Sequence, residues 1–466
     1  MGNGRPDPIR VLIIGAGWAG LAAAVEATRL GHHAIVLEAS RAIGGRARAL
    51  NVTLPSGAQT TLDNGQHILI GAYSDTLQLM RDMGVDTGRA LLRLPLTLRY
   101  PDGSGLTLPD WSRPWFAGLD VAAGVLNAKG WSLGDKLSLL RAADAWRRSG
   151  FSCPAQHSVG QLCKGISQRV MQEMIDPLVI SALNTPTEQA SASVFLRVMR
   201  DALFAPASQE RSAHGERSHA IAGSNMLLPR TDLGAVFPDA AAQWLAQRGV
   251  PVHLGQRVQD GKLLLKNELL TQHPIGLEAN MAGNFDAVIL ATPAWEAARL
   301  VRSLPGQHHA AQQWAASAEA LQHEAITTVY AYSASAQLAQ PVLALRSNAA
   351  HPAQFVFDRG ALHGAASGQQ GLLAFVVSAS TGDAATLEQQ VLAQGRAQLG
   401  LHDLQAVKTI VEKRATFACT PGLVRPSMHI TQGVLACGDY IDGPYPATLE
   451  GAVRSGLAAA RSLPRS

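Results

Sequence analysis

The chain begins with an apolar segment followed by a helical pattern. Residues Val11 to Ile14 are uniformly apolar, and after three glycines the alanine-rich stretch Leu21 to Leu30 is typical of a buried helix. Gly31 suits the position after the last helical turn, because glycine adopts a left-handed backbone at little cost. His33 to Leu37 then reads as a second apolar strand. This order predicts a βαβ unit with two parallel strands.

A different pattern fills the middle of the chain. Between Ser74 and Leu203 apolar residues recur at intervals of three and four positions, as in Val159, Leu162, Ile166 and Val170. That spacing predicts amphipathic helices. The same region holds four of the eight tryptophans. It therefore has the character of a separate, largely helical part of the molecule.

The strand pattern returns in the second half of the chain. Val250 to Leu254, Ala287 to Leu290 and Gly433 to Cys437 are short apolar segments, and Thr448 to Ala460 has a helical pattern. Because 466 residues exceed what one core usually serves, we expect two domains.

Composition and charge exclude several classes of function. The hydrophobic fraction of 47% and charged fraction of 16% are those of a folded globular protein. A net charge of +4 without a run of basic residues argues against nucleic acid as a partner. The four cysteines show no Cys-x-x-Cys spacing, and no histidine pair has further ligands at metal spacing. We expect no metal and no disulfide framework, which fits the reducing cytoplasm.

The glycines after the first strand form the pattern Gly15-Ala16-Gly17-Trp18-Ala19-Gly20. This spacing lets the backbone turn tightly, approach a pyrophosphate and bring helix and strand into contact, while the helix N-terminus supplies amide donors. Glu38 follows eighteen residues after Gly20, at a strand end, where its carboxylate can accept hydrogen bonds from both hydroxyls of an adenosine ribose. The pattern predicts an adenine dinucleotide site, and the acidic residue disfavours a 2′-phosphate.

Two further patterns offer polar groups to the same ligand. Gly44-Gly45-Arg46 is a second flexible turn, with a permanently charged guanidinium suited to phosphate oxygens. Gly438-Asp439 follows the last apolar strand and offers a carboxylate to a polyol such as a flavin ribityl chain, although a plain turn residue is the alternative for Asp439. The helix beginning at Thr448 favours the first interpretation, because a helix N-terminus stabilises an anionic reduced flavin.

With these four patterns together, the chain resembles the flavin amine oxidase and phytoene desaturase superfamily, over a span from Gly15 to Ala459. The resemblance implies an α/β fold: a Rossmann-like, two-dinucleotide-binding FAD domain with an interleaved α+β substrate or cap domain. We predict FAD-binding segments at 1–75, 211–295 and 405–466. The substrate domain is predicted at 76–210, which is largely helical and faces substrate or membrane, and at 296–404.

The resemblance also implies which residues hold FAD, bound without a covalent link. Val258 would hold the adenine through its backbone, and Thr292 would lie near the pyrophosphate. The full predicted set is Gly15, Gly17, Trp18, Ala19, Gly20, Glu38, Gly44, Gly45, Arg46, Gly65, Gln66, Val258, Thr292, Gly438, Asp439, Ala447 and Thr448.

Two segments narrow the resemblance. Asp63 to Tyr73 and Pro446 to Gly456 are similar to the squalene-associated subgroup, the hydroxysqualene dehydroxylases. This subgroup implies reductive removal of the allylic hydroxyl of hydroxysqualene to give squalene, a step in bacterial hopanoid or squalene supply. It implies a long apolar isoprenoid as the substrate.

Reductive dehydroxylation needs a proton donor for the departing hydroxyl. His67 suits this role by residue type, because an imidazole titrates near neutrality, and a structural histidine bonded to backbone is the alternative. Asp63 and Tyr445 are further candidates, each with a structural role as the alternative.

The remaining expectations concern partners and location. No second dinucleotide fingerprint occurs in the chain, so NAD(P)H as electron donor would visit the flavin transiently. The aromatic segment Trp111 to Phe116 suits either a bilayer surface, with Arg113 meeting phosphates, or packing between helices. We therefore expect a cytoplasmic protein, with contact to the inner face of the plasma membrane as a further expectation.

Three other functions remain open from the sequence. A carotenoid-type desaturase would oxidise a polyprenoid with the same flavin, and an amine oxidase would place an aromatic pair against it. A prenyl-binding escort would keep the fold without redox chemistry, and the intact glycines, Glu38 and Asp439 argue against that alternative.

Overall fold

The structure is a computed structural model and describes residues 8–54, 57, 59–110, 118–204, 222–258, 285–304, 309–364 and 367–463. The strands are β1 Arg10–Ile14, β2 His33–Glu38, β3 Ala49–Thr53, β4 Gln59–Asp63, β5 Leu69–Ile70, β6 Leu91–Leu94, β7 Thr97–Arg99, β8 Gly105–Thr107, β9 Met226–Pro229, β10 Val252–Leu254, β11 Ala287–Leu290, β12 His323–Tyr332, β13 Val342–Ala344, β14 Phe355–Asp358, β15 Leu372–Ser378, β16 Gln405–Phe417, β17 His429–Thr431 and β18 Val434–Ala436.

The helices are α1 Trp18–Arg29, α2 Ser74–Asp82, α3 Thr87–Ala90, α4 Leu119–Leu126, α5 Leu133–Arg148, α6 Val159–Leu162, α7 Gln168–Val170, α8 Asp176–Leu183, α9 Ala192–Met199, α10 Leu233–Val236, α11 Pro238–Ala246, α12 Ala294–Arg302, α13 His309–Glu319, α14 Arg359–His363, α15 Ala384–Leu399 and α16 Leu449–Arg461. Two π-helical turns, Met171–Ile175 and Arg200–Phe204, follow α7 and α9.

A six-stranded sheet joins distant parts of the chain in the order β10-β2-β1-β11-β18-β17. All its neighbours are parallel except β17 and β18. Along β1, Val11 and Ile13 pack into the core shared with α1, whereas Leu12 and Ile14 pack into a second core on the opposite face. A parallel sheet buried on both faces requires such uniformly apolar strands. The predicted α/β, Rossmann-like class is confirmed.

The second large sheet is antiparallel and has the order β13-β14-β15-β12-β16. One face packs on α15 through residues such as Val329 and Ala331. The other face, including Tyr330, joins the core of the helical middle part. This is the interleaved α+β part of the fold.

The predicted segment boundaries stay a prediction, but two elements lie differently from them. β16 begins at Gln405, in the predicted FAD-binding segment, yet it pairs with β12 as the edge of the antiparallel sheet. The pairing runs from Gln405 to Phe417, so the antiparallel sheet continues to that residue. α2, most of which lies beyond the first predicted FAD-binding segment, packs on α16 through the core that also contains α1.

Among the described residues, no helix is long and apolar enough to cross a bilayer. The segment predicted as largely helical, 76–210, contains α3 to α9 and most of α2, but it also contains the short strands β6, β7 and β8, which the helical pattern did not predict. The buried tryptophans Trp131 and Trp146 lie in its core. Trp111, Arg113, Trp115 and Phe116 lie outside the described residues.

Candidate functional site

The glycine turn after β1 depends on the absence of side chains. Gly15 has φ +112° and its amide donates to the carbonyl of Leu37 at 2.7 Å. A Cβ on Gly15 would lie 2.5 Å from the carbonyl oxygen of Ala291, at the end of β11. Only glycine suits this combination of a left-handed backbone and close contact. The turn therefore holds the ends of three adjacent strands together.

Helix α1 begins directly after this turn. Gly17 is its N-cap and makes no side-chain cap hydrogen bond. The twelve-residue helix thus presents its first backbone amides, at Trp18, Ala19 and Gly20, at the edge of the sheet. A Cβ on Gly20 would lie 1.9 Å from the carbonyl oxygen of Gly15, so glycine is needed for this close approach of helix and strand. Such a helix start is suited to a pyrophosphate.

Glu38 stands at the end of β2, beside the same turn. Its Oε2 accepts from the amide of Ala16 at 2.7 Å, and its Oε1 accepts from the amide of Ser40 at 2.8 Å. These two bonds fix the orientation of the carboxylate at the strand end, where the sequence predicts the adenosine ribose. Each oxygen keeps further acceptor capacity, because a carboxylate has about four lone-pair sites.

The second glycine turn lies against the first. Gly44 and Gly45 have φ +96° and +64°, and Gly44 forms an isolated parallel bridge with Gly17. A Cβ on Gly45 would lie 3.3 Å from the Cα of Gly17. The two predicted phosphate-facing turns are therefore neighbours in space, as one dinucleotide site requires.

Arg46 and Asp439 form an ion pair between the N-terminal and C-terminal parts of this site. The Nη2 of Arg46 lies 2.5 Å from Oδ1 of Asp439. Asp439 is buried, whereas about a third of the arginine side chain is exposed. The sequence suggested separate roles for these residues, on phosphate and on ribityl hydroxyls. The structure joins the two side chains in one ion pair.

The C-terminal helix contributes a second helix start. Thr448 is the N-cap of α16, and its Oγ1 accepts from the amide of Gly451 at 3.0 Å. Ala447, directly before it, has φ +57° and donates to the carbonyl of Asp439 at 3.1 Å. Gly438 is tied to the same helix, since its amide donates to Ser455 Oγ at 2.8 Å. Gly438, Asp439, Ala447 and Thr448 thus form one continuous group.

Thr292 and Val258 each follow a parallel strand of the six-stranded sheet, β11 and β10 respectively. Thr292 follows β11, and its Oγ1 is buried without a hydrogen-bond partner among the described residues. Its amide nitrogen would lie 3.4 Å from a Cβ on Gly15. The carbonyl of Val258 accepts from Arg299 at 3.2 Å. An unpaired buried hydroxyl beside the glycine turn, together with the space that only glycines leave, fits an FAD bound across the carboxyl edge of the sheet.

The segment after β4 carries the candidate acid Asp63, which is buried at 1% exposure. Its Oδ1 accepts from the amide of Leu233 at 2.8 Å, and its Oδ2 lies 3.5 Å from Nη1 of Arg359. Burial raises the pKa of Asp63 to about 6, against the opposing effect of the Arg359 guanidinium. Both carboxylate oxygens are engaged within the protein, which favours the structural alternative for Asp63.

The sequence analysis did not predict a role for Arg359. It is fully buried, donates to Gln369 at 2.7 Å and to Gln66 at 3.0 Å, and contacts the carbonyl of Thr61 at 3.3 Å. It thereby connects the antiparallel sheet to the segment that holds the predicted cofactor residue Gln66. The available signal was a charged residue directly after the apolar strand β14.

His67 lies beside Gly65. Its Nδ1 is 2.7 Å from the Gly65 carbonyl, so this nitrogen carries the proton and donates. Burial, and secondarily the charge of Arg46, lowers the pKa of His67 below its ordinary value. The neutral ring then presents Nε2 as an acceptor, and its proton-donating form is favoured only in more acidic solution.

Thr328 on β12 faces the same backbone. A Cβ on Gly65 would lie 3.7 Å from both Thr328 Oγ1 and His67 Cε1. Thr328 is 1% exposed, and its hydroxyl has no hydrogen-bond partner among the described residues. Two polar groups, one from each part of the fold, therefore converge at Gly65. The sequence did not single out Thr328, because a threonine within a strand is commonplace.

The third catalytic candidate, Tyr445, is held by other side chains. Its hydroxyl donates to Oδ2 of Asp201 at 2.9 Å, and its ring meets Tyr73 edge to face at 6.5 Å. Burial, together with Asp201, raises the pKa of Tyr445 to about 12. This environment favours the structural alternative. This edge-to-face pair also differs from the two parallel rings that would enclose the substrate beside the flavin in an amine oxidase.

The part of the fold around the Gly65 segment also contains partly buried apolar side chains. They come from the segment after β4, from β6, from α9 and from β12, and they pack against the main core: Ile68, Leu92, Leu94, Val194, Val198 and Ile326.

Comparison with known proteins shows that the chain is similar to hydroxysqualene dehydroxylases. It is 29% identical over 482 residues to a hydroxysqualene dehydroxylase from Rhodopseudomonas palustris, with 97% of each chain covered. It is also 29% identical over 311 residues to one from Sinorhizobium fredii, and this match covers 64% of each protein, just under two thirds. The predicted resemblance to this subgroup is confirmed.

Solved structures and a family model give the wider relation. An oxidoreductase from Methanosarcina mazei has the same fold, with a TM-score of 0.67 at 14% identity, over 97% of this chain and 100% of that one. The family described as flavin containing amine oxidoreductase matches residues 18–463. The chain therefore belongs to the flavin containing amine oxidoreductase family, and it is an FAD-dependent oxidoreductase.

Proposed function

We propose that this enzyme removes the hydroxyl group of hydroxysqualene reductively to give squalene. The observation that carries this proposal is the similarity to a hydroxysqualene dehydroxylase over 97% of both chains. The site supports it, because two polar groups converge at Gly65, and partly buried apolar residues belong to the same segments: Ile68 follows His67, and Ile326 precedes Thr328 on β12.

The reaction consumes two electrons. The substrate carbon loses its hydroxyl group, which takes up a proton and leaves as water. The same carbon gains a hydride, which reduced FAD supplies when bound. With a nicotinamide as donor, the balance is substrate, NAD(P)H and one proton on one side, and squalene, NAD(P)⁺ and water on the other. The donor would act on the flavin transiently, because the chain has one dinucleotide fingerprint.

The protein's own groups bind, orient and protonate. The apolar side chains around Ile68 and Ile326 would exclude water from the isoprenoid chain. Thr328 Oγ1 and His67 Nε2 are the groups suited to the leaving hydroxyl: threonine orients it, and protonated His67 gives it a proton. The neutral form of His67 would accept a hydrogen bond from the same hydroxyl and hold it in place.

We propose that FAD is bound without a covalent link. Residues of the glycine turns, Glu38 and the Arg46–Asp439 pair would hold it through hydrogen bonds and charge. The buried Cys419, whose pKa burial raises to about 12, and the fully buried Cys437 remain thiols, whereas the thiolate is the nucleophilic form. Acid precipitation should therefore release FAD and leave a colourless pellet.

Anaerobic single-turnover kinetics test the function. Pre-reduced enzyme mixed with hydroxysqualene should reoxidise its flavin at the rate at which squalene appears, and deuterium from labelled flavin N5 should enter the product. His67→Ala should slow this step by about 100-fold while FAD stays bound. Thr328→Val, which keeps the shape and removes the hydroxyl, is the matched variant for binding and should weaken substrate affinity by about tenfold.

The alternatives give different results in the same experiment. Oxidation of a polyprenoid by the oxidised enzyme, without squalene from the reduced enzyme, would establish a desaturase. Reduction of the flavin by amines would indicate an amine oxidase. A purified protein without flavin would contradict the assignment as a redox enzyme.

A further inference from the structure

Four leucines on two consecutive helices point away from the core. On α4, Leu119 and Leu126 are each 55% exposed, and on α5, Leu133 and Leu137 are 69% and 39% exposed. Residues seven apart, and residues four apart, lie on the same face of a helix. Each pair therefore forms a stripe on its helix. We call these four residues the leucine face.

The opposite sides of both helices are the ones that pack inward. Val121 and Val125 of α4 and Leu139 and Trp146 of α5 are buried in the main core. The leucine face is thus a second apolar surface on helices whose core contacts are already made. Proteins rarely leave such surfaces in water unless they serve binding.

Cations border the leucine face. Lys129 lies in the short link between α4 and α5 and is exposed. The ammonium of Lys136 donates to the carbonyl of Leu126 at 2.7 Å, which fixes this charge at the end of the face. The nearby acids Asp120 and Asp135 instead accept hydrogen bonds at the helix starts, from Val121 and Ser132. Apolar side chains bordered by lysines match a bilayer with anionic headgroups.

We infer that the leucine face inserts into the surface of an anionic lipid bilayer, with Lys129 and Lys136 at the headgroup phosphates. The inference deepens the proposed function and rests on it for its purpose, because an isoprenoid substrate is dissolved in the bilayer. α4 and α5 belong to the same core as the sheet face beside the site. The face would therefore orient the substrate part of the enzyme toward the membrane.

Vesicle sedimentation tests the inference with the purified, FAD-loaded protein. We expect it to bind vesicles of phosphatidylglycerol and phosphatidylethanolamine more tightly than vesicles of phosphatidylcholine. Burying the exposed area of one leucine changes partitioning by about fivefold. The double variant Leu119→Ser/Leu133→Ser should therefore bind about 25-fold more weakly. Lys129→Ala/Lys136→Ala should remove most of the preference for the anionic vesicles and its salt dependence.

The matched control is Leu30→Ser/Val424→Ser, which replaces exposed apolar residues away from the leucine face, 46% and 81% exposed in the parent. It should bind as the parent does. Retained flavin absorbance and far-ultraviolet dichroism show that each variant is folded. Equal vesicle binding by the leucine variant and the parent would overturn the inference. So would a parent dimer in sedimentation velocity that the leucine variant alone converts to monomer, because a second copy would then cover the face.

Activity on detergent-dispersed hydroxysqualene separates the two proposals. The leucine variant should keep the parent rate there, since its substitutions replace exposed residues that belong to neither the candidate site nor the core. Squalene formation without vesicle binding would refute the docking face and leave the function intact. Vesicle binding without squalene formation would refute the function alone.

Discussion

Replacing Arg359 by methionine tests the internal connection between the two parts of the fold. The variant keeps a long apolar stem and removes a guanidinium that contacts Asp63, Gln66, Gln369 and the carbonyl of Thr61. Breaking a buried ion pair by removing one partner costs about 3–5 kcal/mol. We expect a loss of that size in the free energy of unfolding, measured with urea by tryptophan fluorescence.

The pH dependence of this loss follows from Asp63. Burial raises its pKa from 3.8 to about 6, which corresponds to about 3 kcal/mol against the ionised form at neutral pH. Because the folded-state pKa lies above the unfolded one, the stability due to protonated Asp63 is present below pH 3.8. It is lost as the pH rises through about 6. The Arg359 guanidinium lowers the pKa of Asp63. Removing Arg359 therefore raises this pKa further, and the stability due to protonated Asp63 is then lost at a higher pH. Arg359→Met should therefore be more costly at about pH 8 than at about pH 5.

Asp63→Asn is the matched variant. It removes the carboxylate charge, and the double variant Arg359→Met/Asp63→Asn then contains neither charge of the buried pair. At about pH 8 the double variant should be more stable than Arg359→Met by about 1–3 kcal/mol. If the double variant is no more stable than the single one, or if Arg359→Met costs the same at both pH values, the ion pair does not stabilise the fold in the way that its burial implies.

Four other predictions concern the flavin site and the proton donor. Glu38→Ala should weaken FAD binding by about ten to one hundredfold, since hydrogen bonds to a charged group contribute about 1.5–3 kcal/mol. The measurement is FAD titration of the apoprotein, with Glu38→Gln as the control. If both variants bind FAD as the parent does, the predicted role of Glu38 is wrong. Gly20→Ala should destabilise the fold by about 3 kcal/mol, because its Cβ would meet the Gly15 carbonyl, whereas Gly165→Ala, which has nothing within 4 Å, should behave as the parent in the same melt. Asp439→Asn should weaken FAD binding and leave the Arg46 charge unpaired; titration in low and high salt should show a smaller effect at high salt if charge is responsible. The lowered pKa of His67 predicts that single-turnover flavin reoxidation accelerates as the pH falls below about 6.5, the ordinary pKa of histidine, and a His67→Ala enzyme with the same acceleration would exclude this histidine as the donor.

Local patterns were enough to predict the nucleotide-binding elements. The apolar run from Val11 and the glycines after it define β1, the turn and α1, because backbone geometry at Gly15 and Gly20 leaves no choice of residue. The predicted βαβ unit is observed as the parallel pairing of β1 with β2. The same patterns predicted that Asp439 and Arg46 serve one ligand, and in the structure these two side chains form an ion pair.

Long-range side-chain contacts were not predictable from the chain alone. In the sequence, Arg359 is 296 positions from Asp63 and 293 positions from Gln66. Nothing in their local surroundings specifies this contact. The extension of the antiparallel sheet through β16 was missed for a similar reason. Its partly buried, polar-rich strand resembles a surface segment until its pairing with β12 is known.

The contact between the first and last helices bears on how the enzyme is made in the cell. A Cβ on Gly456 would lie 2.2 Å from the carbonyl oxygen of Ala19, so α16 rests directly on α1. The strand next to β11 in the same sheet, β18, also comes from the final forty residues of the chain. During synthesis the ribosome therefore releases the predicted FAD-binding residues near β1 long before those near α16. Loading of FAD must therefore wait until α16 has left the ribosome, and a nascent chain halted before α16 should be an apoprotein that quality-control proteases can recognise.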